Sequence, residues 1–340
     1  QDCNGVKAMA KRTKGREWAE ELCRKFVSTP NLTLAKRLAK DHPEAFTIES
    51  ARTMIRVIRG QHGTESRRYA TQQRPAGKAG QLPPLPPSLA QPWKTFEVKG
   101  KTRCGVISDV HSPYHSDIAL ETALDWLAKH RIDTLVINGD FADFYGVSRW
   151  DRNPERVGMK RELEIVDAML SHIRKRFAKV RIIYKAGNHE ERWNKFVWAK
   201  APEIWDLNPL QLPEILQLKK HSVEWVEDQR PIMLGKLPIL HGHELPKGIS
   251  SPVNAARGAW MRTKHTVLVG HSHQTSGHCE PNMWHDECFV WSTGCLCDLN
   301  AEYARINRWN HGFAYVETAA SGDFDVTNLR IADGGIVRGG

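Results

Sequence analysis

No apolar run in this chain approaches the roughly 20 residues that a membrane-spanning helix needs, which argues against a membrane partner. No apolar stretch of the signal-peptide kind follows Gln1, and Gln1 in place of an initiating Met leaves room for residues upstream. Cysteine is scarce as well. The seven present are odd in number and scattered, so a small disulfide-stapled scaffold is excluded and a reducing, cytoplasmic setting is expected. The one close pair, Cys295-Leu296-Cys297, has strand-like flanks and no second pair, and reads as packing. Acidic residues are short only at the start. Residues 1–99 hold 19 Lys and Arg against 9 Asp and Glu, the whole of the +10 net charge, and the remainder balances. A basic module beside a neutral one points to a polyanion, nucleic acid above all.

That module spans residues 1–60 and reads as helical. Residues 5–28 suit a basic amphipathic helix with Trp18, Leu22 and Phe26 at intervals of four. Thr29-Pro30-Asn31 stops it, and Leu32, Leu34, Ala35 and Leu38 form a short second helix. A third runs from Thr47 to Gly60, with Ile48, Ala51, Met54, Ile55 and Ile58 facing inward and Arg52, Arg56 and Arg59 along one face. These are the proportions of a helix-turn-helix, and equally of a small helical domain with a solvated basic face. Residues 61–95 are a polar and proline-rich linker, with Arg67, Arg68, Arg74 and Lys78 ahead of Pro83, Pro84, Pro86, Pro87 and Pro92.

Residues 96–340 alternate strands and helices, and five short clusters each follow a strand-like run. Ser108-Asp109-Val110-His111 follows Cys104–Ile107, and Gly139-Asp140-Phe141-Ala142-Asp143 follows Thr134–Ile137. Gly187-Asn188-His189-Glu190 follows Val180–Lys185, His241-Gly242-His243 follows Pro238–Leu240, and Gly270-His271-Ser272-His273 follows Thr266–Val269. Ligands collect beyond the carboxyl ends of strands in α/β folds, so the clusters should converge. Extended backbone would put both side chains of Asp-x-His, and of His-x-His, on one side. One such motif is usually a turn or a cap. Five in series give Asp109, His111, Asp140, Asn188, His241, His271 and His273, an oxygen and imidazole set too large for one ion and suited to two.

This order of motifs resembles the calcineurin-like metallophosphoesterases over roughly residues 100–335. The resemblance implies a four-layer α/β/β/α sandwich, an α/β (α+β) fold, beside the small N-terminal helical domain. It implies that Asp109, His111 and His273 hold one divalent metal ion, that Asn188, His241 and His271 hold the other, and that Asp140 bridges them. His189 would stand outside both shells, near the leaving group, as general acid. Manganese is the first choice of metal, with iron, zinc or nickel also suited. The insertions Phe144–Trp150 and Glu191-Arg192-Trp193, and the segments at Gly294–Leu296, Tyr303 and His311–Phe313, look similar to metallophosphoesterases of phage and prophage genomes.

Three neighbours have open roles. Asp143 either orients a histidine or caps a turn, Arg192 either reaches a substrate phosphate or makes a surface ion pair, and His115 either lines the site or finishes its turn. His243 is expected behind the ligands. Protein phosphatases of this superfamily carry Arg-Gly where this chain has Phe144-Tyr145, and Arg where it has Ala186, which disfavours that branch. The expected activity is metal-dependent hydrolysis of phosphodiesters, of DNA or RNA. A small-molecule phosphodiesterase or phosphomonoesterase, or a non-catalytic nucleic-acid-binding scaffold, are the alternatives.

Overall fold

The computed structural model describes residues 13–61, 85–150, 152–246, 254–281, 283–332 and 335–339. The chain forms two compact units, Gln1–Ala90 and Gln91–Gly340.

The first unit contains three helices, α1 (Lys14–Lys25), α2 (Asn31–Asp41) and α3 (Ile48–Ile58). Apolar residues at helical spacing close its core, with Ala19, Cys23, Leu34, Ala35, Leu38, Ile55 and Ile58 buried around Phe46. Thr47 and Ser50 exchange backbone and side-chain bonds that start α3. Ile48, expected inward, is exposed at the first position of this helix. The arginine stripe is also interrupted. Arg59 donates to the carbonyls of Phe26 and Thr29, both at 2.6 Å, and to Asn31 Oδ1 at 2.7 Å. It closes the end of α1, so Arg52 and Arg56 alone keep the outward role. The expected start of α1 within residues 5–12, and Arg67, Arg68, Arg74, Lys78, Pro83 and Pro84, lie outside the described residues.

The second unit is a four-layer sandwich. One sheet has seven strands: β2 (Thr102–Ile107), β3 (Thr134–Asn138), β4 (Arg181–Lys185) and β5 (Val223–Val226) run parallel, and β11 (His311–Thr318), β12 (Phe324–Ala332) and β13 (Ile336–Gly339) extend it antiparallel. The other sheet has the order β1-β6-β7-β8-β10-β9, from β1 (Phe96–Val98), β6 (Ile232–Leu234), β7 (Leu237–Leu240), β8 (Val267–Val269), β9 (Ser276–Pro281) and β10 (Glu287–Ser292).

Strand periodicity builds the layers. Leu135 and Ile137 pack with α4 (Asp117–Lys129) and α5 (Met159–Arg176), while the intervening Val136 packs with Leu234, Ile239 and Leu268 of the facing sheet. On the far side, α8 (Ala255–Thr263) covers the six-stranded sheet through Ala256 and Ala259. Two further helices, α6 (Glu191–Lys200) and the short α7 (Leu212–Ile215), lie between β4 and β5 in sequence. No helix among the described residues is long and apolar enough to cross a membrane.

Candidate metal centre

Each cluster begins where a strand ends: β2, β3 and β4 in the seven-stranded sheet, β7 and β8 in the other. Parallel pairing of β2 with β3 and β4, and of β7 with β8, sends all five clusters to one edge of the sandwich. The pairs converge, but not by extended alternation. Asp109, His111, Asp140, His271 and His273 all adopt left-handed backbone, with φ between 51° and 66°. Non-glycine residues rarely do so, and concentrated strain of this kind belongs to functional sites. Gly187 lets the third cluster approach: a Cβ there would stand 2.2 Å from Asp140 Oδ1.

The donor atoms fall into two groups that share Asp140. In the first, His273 Nε2 lies 3.1 Å from Asp109 Oδ1 and 3.2 Å from His111 Nε2. In the second, His241 Nε2 lies 3.3 Å from Asn188 Oδ1, and His241 and His271 gather with Asp140. Asp140 Oδ1 is taken by the backbone N–H of His189 at 2.9 Å. Its Oδ2 faces both groups, 3.9 Å from His111 Nε2 and 3.2 Å from His241 Nε2. All seven metal-type residues expected from the sequence therefore come together.

Hydrogen bonds behind the donors fix their direction. His241 Nδ1 donates to the Asn138 carbonyl at 2.7 Å, which fixes Nε2 as the ring atom aimed inward. Asp143 Oδ1 lies 3.0 Å from His111 Nδ1 and 2.9 Å from His189 Nδ1. Burial works against ionising Asp143, but these two histidines outweigh it and hold the carboxyl below the usual range. Asp143 is thus an orienting group rather than a turn cap. Arg192 is not a surface ion pair either. Its Nη1 donates to the Asp143 carbonyl at 2.9 Å, and its Nη2 lies 2.8 Å from His189 Nε2. His189 is near enough to His111 and Asp140 to count among possible ligands. Its Nε2 is taken by Arg192 rather than by another member of the donor set.

The electrostatics of the centre call for cations. Burial opposes ionisation of Asp109 and Asp140, yet neighbouring imidazoles hold both carboxyls below their usual range. In return, and against the effect of burial, the two carboxylates lift His241 to about 10 and Asp109 lifts His273 to about 8. Buried Asp109 Oδ1 accepts no hydrogen bond. Oxygen and imidazole donors, converging lone pairs and buried negative charge fit two divalent ions.

Several contributors escaped the sequence reading. Glu190 Oε1 accepts from the N–H groups of Phe141 and Ala142 and from Tyr184 OH, while Oε2 accepts from Asp140 N and Gly187 N. One buried carboxylate thereby ties the second cluster to the third. Its place in Gly-Asn-His-Glu was the available signal. Ser108 Oγ donates to Asp109 Oδ2 at 2.5 Å, and Glu244 accepts from His241 N and Gly242 N. Cys297, expected only to pack, is buried with Sγ 4.0 Å from His273 Nδ1 and joins His111 and His273 in a group that could hold a metal ion. His243 pairs with Glu191 at 3.0 Å, and His115 with Asp117 at 3.0 Å. A cavity of about 640 Å³ opens beside His189 and Arg192.

A four-layer sandwich with carboxylate and imidazole groups at its strand ends could hold a dinuclear metal centre, the arrangement of a metal-dependent hydrolase. The calcineurin-like phosphoesterase family model matches residues 102–307, and the chain belongs to that family: it is a hydrolase of phosphoric ester bonds. Solved structures similar to it include a single mutant of Vps29 from Entamoeba histolytica, at 16% identity over 69% of this chain and 96% of that one, with TM-score 0.36. The phosphoesterase Yfce from E. coli is 16% identical over 65% of this chain and 96% of that one, with TM-score 0.32. A dimetal phosphatase from Danio rerio is 13% identical over 67% and 96%, with TM-score 0.32. No curated protein matches the sequence.

Proposed function

We propose that this chain hydrolyses phosphodiesters of nucleic acid, DNA or RNA, at a dinuclear centre. Asp109, His111 and His273 would hold one divalent ion and Asn188, His241 and His271 the other, with Asp140 available to both. Such ions would supply positive charge for the phosphate oxygens and a water of lowered pKa for attack on phosphorus. Manganese is the first candidate, with iron, zinc and nickel also suited to these donors.

The observation that carries the reading is the placement of His189 and Arg192 at the edge of the donor set, lining a cavity. Arg192 meets a non-bridging phosphate oxygen there. His189 supplies the proton to the departing oxygen, and Asp143 keeps its ring in place. The basic N-terminal unit favours a polymeric anion over a small ester, and its proposed role is to hold that polyanion. The segments around Tyr145 and Tyr303 support a phage-type member of the family. The odd, scattered cysteines support a cytoplasmic setting.

The test compares bis-p-nitrophenyl phosphate with p-nitrophenyl phosphate, with and without Mn²⁺, for the wild type, His189→Ala and Asp140→Asn, followed by a single-stranded oligonucleotide at graded salt. Metal-dependent turnover that favours the diester, weakens in both variants and extends to the oligonucleotide supports the proposal. Turnover of the aryl esters without cleavage of any oligonucleotide would shift the reading to small esters, and no turnover with any of the metals would sink it.

A further inference from the structure

The cavity beside His189 is walled by two segments that the metal centre does not need. Trp150 comes from one and Tyr303 from the other, and their side chains remain 67% and 65% exposed. Single exposed aromatics are ordinary. Two that line one cavity, with an arginine and a histidine deeper in it, are a different matter. The walls are also braced. Arg156 bonds Glu302 Oε2 at 2.8 Å and lies over the rings of Tyr114 and Tyr145, 4.3 Å and 4.9 Å from their centroids. That bridge neutralises Glu302 and ties the residue next to Tyr303 against the opposite wall. Tyr303 also sits edge-on to Trp309 at 5.9 Å, and Trp309 edge-on to His273 at 4.2 Å. The aromatic wall is thus anchored to the metal centre itself.

We propose that this cavity is a nucleoside subsite on the leaving-group side of the scissile phosphate, with the base stacked between Trp150 and Tyr303. The proposal rests on the phosphodiesterase reading and adds which part of the substrate is recognised. A cavity of about 640 Å³ suits one nucleoside and is too small for a folded partner. Aromatic faces accept any base, so recognition would be tolerant of sequence. In the reaction, a water oxygen bonds to phosphorus and the bond from phosphorus to the departing nucleoside oxygen breaks. Once Arg192 has turned to the phosphate, His189 Nε2 takes up a proton from solvent and gives it to that oxygen, and the proton released by the water goes to solvent.

The test uses the full chain with Mn²⁺ and two substrates, a dinucleoside monophosphate and its analogue lacking the base on the leaving side. The expected KM ratio, abasic over base-bearing, is about tenfold in the wild type, the scale of one stacked base. It should fall toward one in the Trp150→Ala, Tyr303→Ala double variant. A wild-type ratio near one, with both substrates cleaved, overturns the subsite while leaving the phosphodiesterase intact. A tenfold wild-type ratio that persists in the variant places the base elsewhere and also overturns it. Cleavage of neither compound removes the phosphodiesterase reading and the subsite with it.

Discussion

Arg192 Nη2 lies 2.8 Å from His189 Nε2, and on the other side of the ring the Asp143 carbonyl lies 2.9 Å from Nδ1. A guanidinium only donates, so Nε2 accepts and the ring proton resides on Nδ1. In this state His189 has no proton to give from Nε2. An incoming phosphate is a stronger acceptor than a neutral imidazole and draws Arg192 away, which frees Nε2 to take up a proton from solvent and pass it to the departing oxygen. His189→Ala should therefore lower kcat by about 10²–10⁴ for a dinucleotide, and by less for the p-nitrophenyl diester, whose phenolate leaves without a proton. Arg192→Ala should raise KM for both. Steady-state kinetics on the two substrates would expose the error if the His189→Ala losses were equal.

Asp143 Oδ1 stands between His111 Nδ1 at 3.0 Å and His189 Nδ1 at 2.9 Å, so one carboxylate serves a metal donor and the proton donor at once. Asp143→Asn keeps the shape but offers one acceptor and a competing N–H pair. Metal affinity should weaken by about 10–100-fold, the usual consequence of losing a partner behind a ligating histidine. Titration of the metal-depleted protein with Mn²⁺, read by calorimetry, measures this without relying on turnover. Unchanged affinity would mean that Asp143 serves His189 alone.

The centre was legible because its chemistry lies in contiguous tetrapeptides at strand ends, and the unbroken apolar run Leu135-Val136-Ile137 fits a strand buried on both faces. What the sequence concealed depends on distant contacts. Asp109 and His111 converge through left-handed backbone, a conformation imposed by the fold rather than by their residue types. Arg59 looks like the end of a basic stripe until Phe26 and Thr29 arrive at its guanidinium from earlier in the chain. Edge strand β9, Ser276–Pro281, carries mostly small and polar residues and leaves little hydrophobic signal. The support beneath the motifs was less legible: the Gly-Asn-His-Glu motif marks its glutamate, but not the five hydrogen bonds that this glutamate accepts from distant residues.

Glu190 is that residue, and its fivefold acceptance makes a mutational prediction. Glu190→Gln places an amide N–H₂ against two or more backbone N–H groups that need an acceptor. Each buried donor left unpaired costs about 1–3 kcal/mol, so a loss of ~2–5 kcal/mol is expected in urea denaturation. Because the carboxylate links Asp140 to Gly187, metal binding should weaken in parallel. A fully stable variant would show that the network relaxes around the amide.

Glu162 supplies a pH dependence. It is buried on α5, with Oε1 accepting from Phe144 N and Oε2 without a partner. Burial pushes its carboxyl up to about 8, the Phe144 N–H opposes this, and nearby Asp143 adds to it while Arg192 reduces it. The folded chain therefore keeps a proton that the unfolded chain releases above about pH 4.5. Stability is highest below that value and falls as pH rises toward 8, by about 4 kcal/mol. Glu162→Gln should flatten this slope between pH 5 and 8. Parallel denaturation curves at those two pH values decide it, and equal slopes in wild type and variant would assign the pH dependence to other groups.

The basic unit is tested by salt. Arg52 is exposed and Arg56 half-buried on α3, and among the described residues neither donates to a backbone carbonyl as Arg59 does. If both meet phosphates, replacing them with alanine removes two counterion-releasing contacts. The plot of log affinity against log salt should then become shallower by about 1.4 for single strands and about 1.8 for duplex. The loss should be similar for all base sequences, because phosphate contacts position without reading bases. Fluorescence anisotropy of labelled oligonucleotides between low and moderate salt gives both quantities. Arg59→Ala is the informative control, since it should lower the stability of the helical unit by freeing the ends of Phe26 and Thr29. A slope unmoved by the double substitution, beside intact folding, would take α3 out of the contact and direct attention to the remaining basic residues of the first unit.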